Sequence, residues 1–328
     1  MRIAFVGFRH GHIYVLYEMA KNHKDIEIVG SFEENEEARN AAAENGVDIS
    51  YTSLDELLFD ERVEAVAIGS CYGDRGAIAI KALKAGKHVI CDKPLCTELS
   101  ELYEIKRLAE EKDLTVSCMF TMRFENKVNA VRDLIRSGAL GEINNVYFGG
   151  QHPLQYGRRP SWYFEDGKHG GVINDIAIHG IDLLSYLFDG KLDVINGARC
   201  WNKYAENEKD FKDSAQIMLT LKNNAGVIAD LSYAIPDGVE FELPYYWQFY
   251  IWGTKGTISF SMNGEKTVWF AKGEKEGREL LVDPIETDYL SDFIRVVKKE
   301  KDVVLPMSEV ISSTEATLLI QKKADVLQ

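Results

Sequence analysis

Along the first third of the chain, short apolar runs alternate with longer stretches in which apolar residues recur every three or four positions. The runs, predicted as strands, are Arg2–Val6, Ile26–Ser31, Ala65–Gly69, the start of "HVICDKP", and Thr115–Phe120. Between them the spacing predicts a helix through roughly Asn22, with Ile13, Leu16, Met19 and Ala20 on one face. Further helices are predicted over Glu36–Asn45, Leu54–Phe59, Gly76–Ala85 and Ser100–Lys112. Ser53 and Glu56 form a capping-box pattern before the third of these, and Gly86 supplies a glycine stop after the fourth. Such alternation implies a parallel sheet covered on both faces. Ligands of such sheets gather beyond the C-terminal strand ends. These ends are Gly7–His12, Ser31–Glu33, Ser70–Tyr72, Asp92–Pro94 and Phe120–Arg123.

After about Phe120 the pattern changes. A helix over Val128–Ser137 leads through "GALGEI" into a strand at Asn144–Phe148. Strands then dominate: Val194–Cys200, Ala215–Leu221, Val227–Tyr233, Tyr245–Trp252, Gly256–Phe260 and Thr267–Phe270, with hairpin signals at "NNAG" and "MNGE". One helix, Asn174–Leu187, interrupts them, and two more, about Tyr289–Lys299 and Ser308–Leu327, close the chain. The fold class is therefore α/β: a Rossmann-like parallel sheet over residues 1–121, then an α+β domain over 122–328 on a large, mostly antiparallel sheet. "YYWQFYIW", residues 245–252, carries large side chains at adjacent as well as alternate positions. A sheet covered on one face leaves an apolar surface that monomers rarely expose, so a homodimer or homotetramer is expected.

A chain of 328 residues suits two domains. The net charge of −14 argues against nucleic acid or an anionic membrane as partner. No apolar run approaches the roughly 20 residues that span a bilayer, and no secretion signal is visible. Cys71, Cys91, Cys96, Cys118 and Cys200 lack framework spacing and read as reduced thiols of a cytoplasmic protein.

Three stretches carry candidate chemistry. "AGKHVICDKP" places Asp92, Lys93 and Pro94 just past a buried strand, where Lys93 either points into the ligand crevice or is simply solvated. "GGVINDIAIHGIDLL" spaces Asp175, His179 and Asp182 along one helix face. A metal would explain them, but no third His or Cys follows at ligand spacing and "HGH" at 10–12 lies in another loop, so no metal is expected. A purely structural His179 is the other reading. The third stretch, "VGFRHGHIY", has the strand–turn–helix setting of a dinucleotide loop, with Arg9 and His12 where glycines usually stand.

"AGKHVICDKP", "RSGALGEI", "GGVINDIAIHGIDLL" and "GTKGTI", in this order and spacing, resemble the glucose–fructose oxidoreductase/inositol dehydrogenase/rhizopine catabolism (Gfo/Idh/MocA) family. The resemblance spans essentially the whole chain. It implies a Rossmann domain joined to an open-faced α/β domain, a nicotinamide cofactor, and oxidation or reduction of a sugar, cyclitol or related polyol. It also implies that Lys93, Asp175 and His179 form the catalytic group. Oxidising an alcohol removes the hydroxyl proton as hydride leaves carbon, and an imidazole suits that proton near neutral pH. Lys93 would stabilise alkoxide character on the oxygen, or serve as the base itself. Arg123 matches a frequent family arginine near the site and Trp162 a frequent site tryptophan. With them, Tyr156 and Arg158 of "QYGRRPSWYFEDGKHGG" are candidate substrate contacts.

The cofactor end departs from the family. Gly7 is in place, but Arg9 and His12 replace glycines, Gly11 is displaced by one, and Phe32 stands where an acid is expected, beside Glu33. Past the third strand, Ser70-Cys71 and Arg75 replace Thr-Pro and His. Expected cofactor contacts are Gly7, Phe8, Arg9, His10, Gly11, Phe32, Glu33, Ser70, Asp92 and Lys93. NAD is favoured over NADP, because Glu33 would repel a 2′-phosphate and no Arg or Lys follows it before Arg39. The alternatives are a ligand sensor without cofactor, and hydrolysis or elimination through transient oxidation on a tightly held NAD.

Overall fold

The computed structural model describes residues 1–188, 191–239 and 246–326. Contacts divide the chain into Met1–Phe120 with Thr287–Glu315, and Thr121–Glu286 with Ala316–Gln328. In chain order the first unit begins β1 (Arg2–Val6), α1 (His12–Asn22), β2 (Glu27–Phe32), α2 (Glu36–Glu44), α3 (Leu54–Phe59), β3 (Ala65–Ile68), α4 (Tyr72–Lys84), β4 (His88–Cys91), α5 (Leu99–Glu111) and β5 (Val116–Cys118). The five strands pair in parallel in the order β2-β1-β3-β4-β5. Every residue of β3 is buried, as expected for a strand covered on both faces. Ser53 caps α3 through the Glu56 N–H, and the Glu56 carboxylate returns to the backbone of Thr52 and Ser53 and to the Thr52 hydroxyl. Helix α4 starts at Tyr72, four residues before the expected Gly76, so Tyr72 and Arg75 belong to its first turns.

The second unit opens with a 3-10 turn (Thr121–Phe124), α6 (Asn126–Arg136) and β6 (Ile143–Pro153), then a 3-10 turn at Ser161–Phe164. A π-helical turn (Ile173–Ala177) runs directly into α7 (Ile178–Phe188). There follow β7 (Leu192–Trp201), β8 (Ser214–Leu221), β9 (Gly226–Ile235), β10 (Trp247–Gly253), β11 (Gly256–Ser261), β12 (Val268–Ala271) and β13 (Arg278–Glu279). These strands form one sheet, β13-β12-β11-β10-β6-β9-β8-β7, antiparallel except where β6 runs parallel to β9. Along β9, Val227, Ala229, Leu231, Tyr233 and Ile235 point into the core, while Trp247, Phe249 and Ile251 do so along β10. Helix α7 covers this face at close range: a Cβ on Gly180 would lie 2.3 Å from the Phe148 ring of β6. The other face exposes Met218, Ile228, Tyr250 and Trp252.

After β13 the chain returns to the first unit with α8 (Tyr289–Val297), followed by α9 (Met307–Val326). Ser291 Oγ lies 3.3 Å from Nε2 of His23, the residue that caps the C-terminus of α1, and Lys299 pairs with Asp113. The division at 121/122 read from the sequence assigns this segment to the wrong unit, because apolar periodicity identifies a helix without saying which sheet it meets. Tyr245 of the expected strand and Leu327 of the expected last helix lie outside the described residues. Among the described residues no helix is long and apolar enough to cross a membrane.

Candidate active site

In the first unit the strand order reverses between β1 and β3, so the loops after these strands flank a crevice of the kind that binds ligands. Gly7 has φ +82°, and a Cβ there would meet Ser70 Oγ at 2.1 Å and Ser70 N at 2.6 Å. Only glycine lets the two loops touch. The Gly7 N–H donates to Phe32 O, the Arg9 N–H to Gly69 O, and the Phe8 N–H to the buried Glu33 carboxylate at 2.6 Å. The second oxygen of Glu33 accepts from Asn35 N–H, and Arg39 Nη1 donates to the carbonyls of Glu33 and Glu34. Beside the loop lies a hollow of about 380 Å³ lined in part by Gly7, Phe32, Glu33, Glu34, Asp55, Ser70, Asp74 and Lys81.

Deeper in the same unit, Asp92 gathers cations and imidazoles. His10 Nδ1 lies 2.6 Å from one carboxylate oxygen and Arg75 Nη2 2.9 Å from that same oxygen, while His12 Nδ1 is 3.1 Å from the other. Burial would raise the Asp92 carboxyl, but the Arg75 guanidinium and then the two histidines hold it well below the usual carboxylate range. Burial lowers His10 to about 4 despite Asp92, whose charge Arg75 already balances. His10 is therefore neutral, donating from Nδ1 to Asp92. His10, His12 and Asp92 each offer a ligand atom within 4.8 Å of the others, a set that could grip a metal ion, but the Arg75 guanidinium already occupies the Asp92 oxygen. Lys93 is buried, with Nζ 5.8 Å from the centre of the Tyr72 ring.

In the second unit the π turn contains Asp175, and His179 follows in the first turn of α7. Asp175 accepts a hydrogen bond from the Tyr233 hydroxyl of β9, whose oxygen lies 3.0 Å from His169 Nε2. His179 instead meets the Trp247 ring edge-on at 5.8 Å. His152 stands between the two groups, 5.6 Å from Trp247 and 6.3 Å from Tyr233 by ring centres, with Nε2 3.2 Å from the Tyr246 hydroxyl. Three histidines, two tyrosines, a tryptophan and Asp175 thus form one polar patch on the covered face of the sheet.

Several expected contacts are elsewhere. Arg123 is fully buried in a two-pronged ion pair with Asp182 and stacks on Tyr186, tying the turn before α6 to α7. Asp182 is correspondingly removed from the Asp175 patch. Trp162 is only 1% exposed and packs on Tyr163 at 4.4 Å, as a core residue. Tyr156 is 41% exposed and bonded to Glu208, and Arg158 is on the surface. The Phe8 ring is buried among Phe5, Tyr14 and Tyr17, leaving its backbone alone at the loop. The residues that the sequence did not single out are Tyr233, His169, His152 and Tyr246; Arg75 stood out only as a departure from the family's histidine. The signal for Tyr233 is a hydroxyl on the inward register of an otherwise apolar strand.

Residues 1–120 match the family described as "Oxidoreductase family, NAD-binding Rossmann fold" (GFO_IDH_MocA), and 128–259 match the GFO/IDH/MocA C-terminal domain. An uncharacterized oxidoreductase of Synechocystis is 32% identical over 46% of this chain, which spans 41% of that relative's length. Myo-inositol 2-dehydrogenase of Thermotoga maritima is 24% identical over 78% of this chain and 75% of its own. The solved structure of levoglucosan dehydrogenase in complex with NADH shares the fold at a TM-score of 0.81, with 21% identity, over 99% of this chain and 97% of that one. With its parallel sheet, its β1–β3 crevice and its eight-stranded second unit, the chain belongs to the Gfo/Idh/MocA family.

Proposed function

We propose that the protein is an NAD-dependent oxidoreductase acting on a secondary alcohol of a sugar or cyclitol. The observation that carries this reading is the glycine-dependent crevice between the β1 and β3 loops, with Lys93 at the adjoining strand end. A Cβ on Gly7 would fill this cradle. Helix α1 begins there with no side chain capping it and no acid in its first turn, which suits a pyrophosphate. Gly7, Arg9, His10, Gly11 and Ser70 would hold the dinucleotide's phosphates, with Asp92 and Lys93 at its nicotinamide end. Phe32 and Glu33 would sit at its adenosine. Glu33, Glu34, Asp55 and Asp74 give the hollow four carboxylates against the single cation Lys81, which disfavours a 2′-phosphate. Arg39 Nη1 is held by the carbonyls of Glu33 and Glu34.

A bound nicotinamide supplies the hydride acceptor. The chain's own residues handle oxygen and proton. Lys93 Nζ holds the reacting oxygen and stabilises charge developing on it, while a ring nitrogen of His179 accepts the hydroxyl proton. Asp175, fixed by the Tyr233 hydroxyl, orients a neighbouring substrate hydroxyl. The names of the relatives support the substrate class, myo-inositol and levoglucosan both presenting ring hydroxyls.

The exposed apolar face of the large sheet, with Met218, Ile228, Tyr250 and Trp252, supports a homodimer or homotetramer. All five cysteines are buried and outside any disulfide, in keeping with a reducing, cytoplasmic setting. Calorimetric titration with NAD, NADH and NADPH tests the cofactor. Turnover of myo-inositol and levoglucosan by wild type, Lys93→Met and His179→Asn tests the chemistry, each variant being expected to lose about 10²–10⁴ in rate. Binding of none of the dinucleotides would leave a ligand sensor as the better reading, and tighter NADPH binding would reverse the preference for NAD. A monomer in light scattering would remove the oligomer.

A further inference from the structure

Arg75 has no exposed surface, yet every bond it makes ends at a loop of the crevice. Its Nε donates to Ser70 O at 2.9 Å. Its Nη1 is shared among the carbonyls of Asp92, Lys93 and Pro94, at 2.9, 2.5 and 3.3 Å, and its Nη2 reaches the Asp92 carboxylate. The guanidinium thus touches all three residues of the turn that carries Lys93. Its plane also lies over Tyr72, 4.5 Å from the ring centre, and the same ring lies 5.8 Å from Lys93 Nζ and 5.4 Å from the His10 ring.

We propose that Arg75, locked by its ion pair with Asp92, is the positioning residue for Lys93. It acts on the lysine from two sides, through the backbone of residues 92–94 and through the Tyr72 ring. No other side chain type supplies this: the task needs a permanent charge, several donors in one plane and a flat face for stacking, which lysine and histidine lack. His10 adds a neutral donor to Asp92 and so holds the carboxylate in line with the guanidinium. By its bond to Ser70 O the same group ties the lysine turn to the loop that meets Gly7. The proposal rests on the reading of Lys93 as a site residue, and its test separates the two.

Full-length protein carrying 13Cε-labelled lysine gives a Lys93 resonance, identified by its loss in Lys93→Arg. In Arg75→Lys, which keeps charge but cannot fork, that resonance is expected to move toward those of exposed lysines in chemical shift. With the better of myo-inositol and levoglucosan as substrate, kcat should fall about 10²-fold, the effect of displacing a reacting group by an ångström. The Kd for NAD should stay near that of wild type. An unchanged Lys93 resonance in a folded variant would overturn the proposal, as would a loss of turnover that only follows NAD affinity or thermal midpoint. Should Arg75→Lys not fold, Asp92→Asn keeps the carbonyl bonds and removes the lock, and the same movement of the resonance is required of it. Wild-type turnover by Lys93→Met would dismiss the lysine from catalysis, while the resonance still decides whether Arg75 positions it.

Discussion

The buried pair of Arg123 and Asp182 gives a sharp test of whether Arg123 serves structure or substrate. Its two bonds, 2.7 and 2.6 Å, join the 3-10 turn before α6 to the middle of α7, and both side chains are out of contact with water. Asn129 ties in by donating to the Arg123 carbonyl and accepting from the Tyr186 hydroxyl, and Tyr186 stacks against Arg123. Removing one partner of such a pair costs about 3–5 kcal/mol, because the other charge stays buried without compensation. The two deletions should differ. Asp182 left alone can take up a proton, whereas a guanidinium cannot lose one, so Asp182→Leu should cost more than Arg123→Met. For a unit of this size each kcal/mol lowers the thermal midpoint by about 2–4 °C, so drops of roughly 6–20 °C are expected. The double variant Arg123→Met/Asp182→Leu should recover most of this, since replacing a whole buried pair by apolar groups is often neutral. Calorimetry or circular dichroism on the four proteins completes the cycle, with KM for myo-inositol or levoglucosan measured alongside. An Arg123→Met protein of wild-type midpoint but strongly raised KM would refute the reasoning and return Arg123 to the substrate.

Acidification should destabilise the protein between about pH 6.5 and 4, because the unfolded chain takes up a proton on His10 that the folded site refuses. At 1.36 kcal/mol per pH unit this comes to about 3 kcal/mol, with Asp92 still charged throughout. Denaturant midpoints measured across that range should flatten in His10→Gln, and identical slopes in the two proteins would discount the site. Gly7→Ala should lose roughly 1–2 kcal/mol from its positive φ alone, before Ser70 is displaced, and weaken NAD binding with it; an unaltered midpoint and Kd would mean the loops are not held as described. Tyr233→Phe removes a hydrogen bond to a charged carboxylate worth about 1.5–3 kcal/mol, so turnover should fall about 10- to 100-fold if Asp175 needs it in the transition state. A change confined to stability would make Tyr233 a packing residue.

Strong local patterns carried most of the first unit. Continuous apolar strands such as "AVAI" and capped helices such as α3 are decided within a few residues, so their positions are legible without tertiary knowledge. Element boundaries were misread near glycines: α4 begins at Tyr72 and passes through Gly73, ahead of the expected start at Gly76, and β6 continues past Gly149 and Gly150, the latter lying against Trp247. The candidate site was legible as motif chemistry at Lys93, Asp175 and His179. Its partners were not, because Tyr233, His169 and Arg75 are brought in by strand register and by one irregular helical turn. Arg123 shows the limit of motif matching in the other direction, since a cation near a motif can be spent on a buried acid.

The return of α8 to the first unit has a consequence for biogenesis. A ribosome adding about 5–20 residues per second releases β1 through β5 early, yet α8 emerges only after Thr121–Glu286 of the second unit have been made. For roughly ten to thirty seconds the nascent dinucleotide sheet therefore lacks the helix that covers α1 and the lysine that pairs with Asp113. During that interval the surface awaiting α8 is open to chaperones and to other nascent chains. A fragment ending at Phe120 would stay in that condition permanently, so the first part to be synthesised waits on a segment made after most of the second unit.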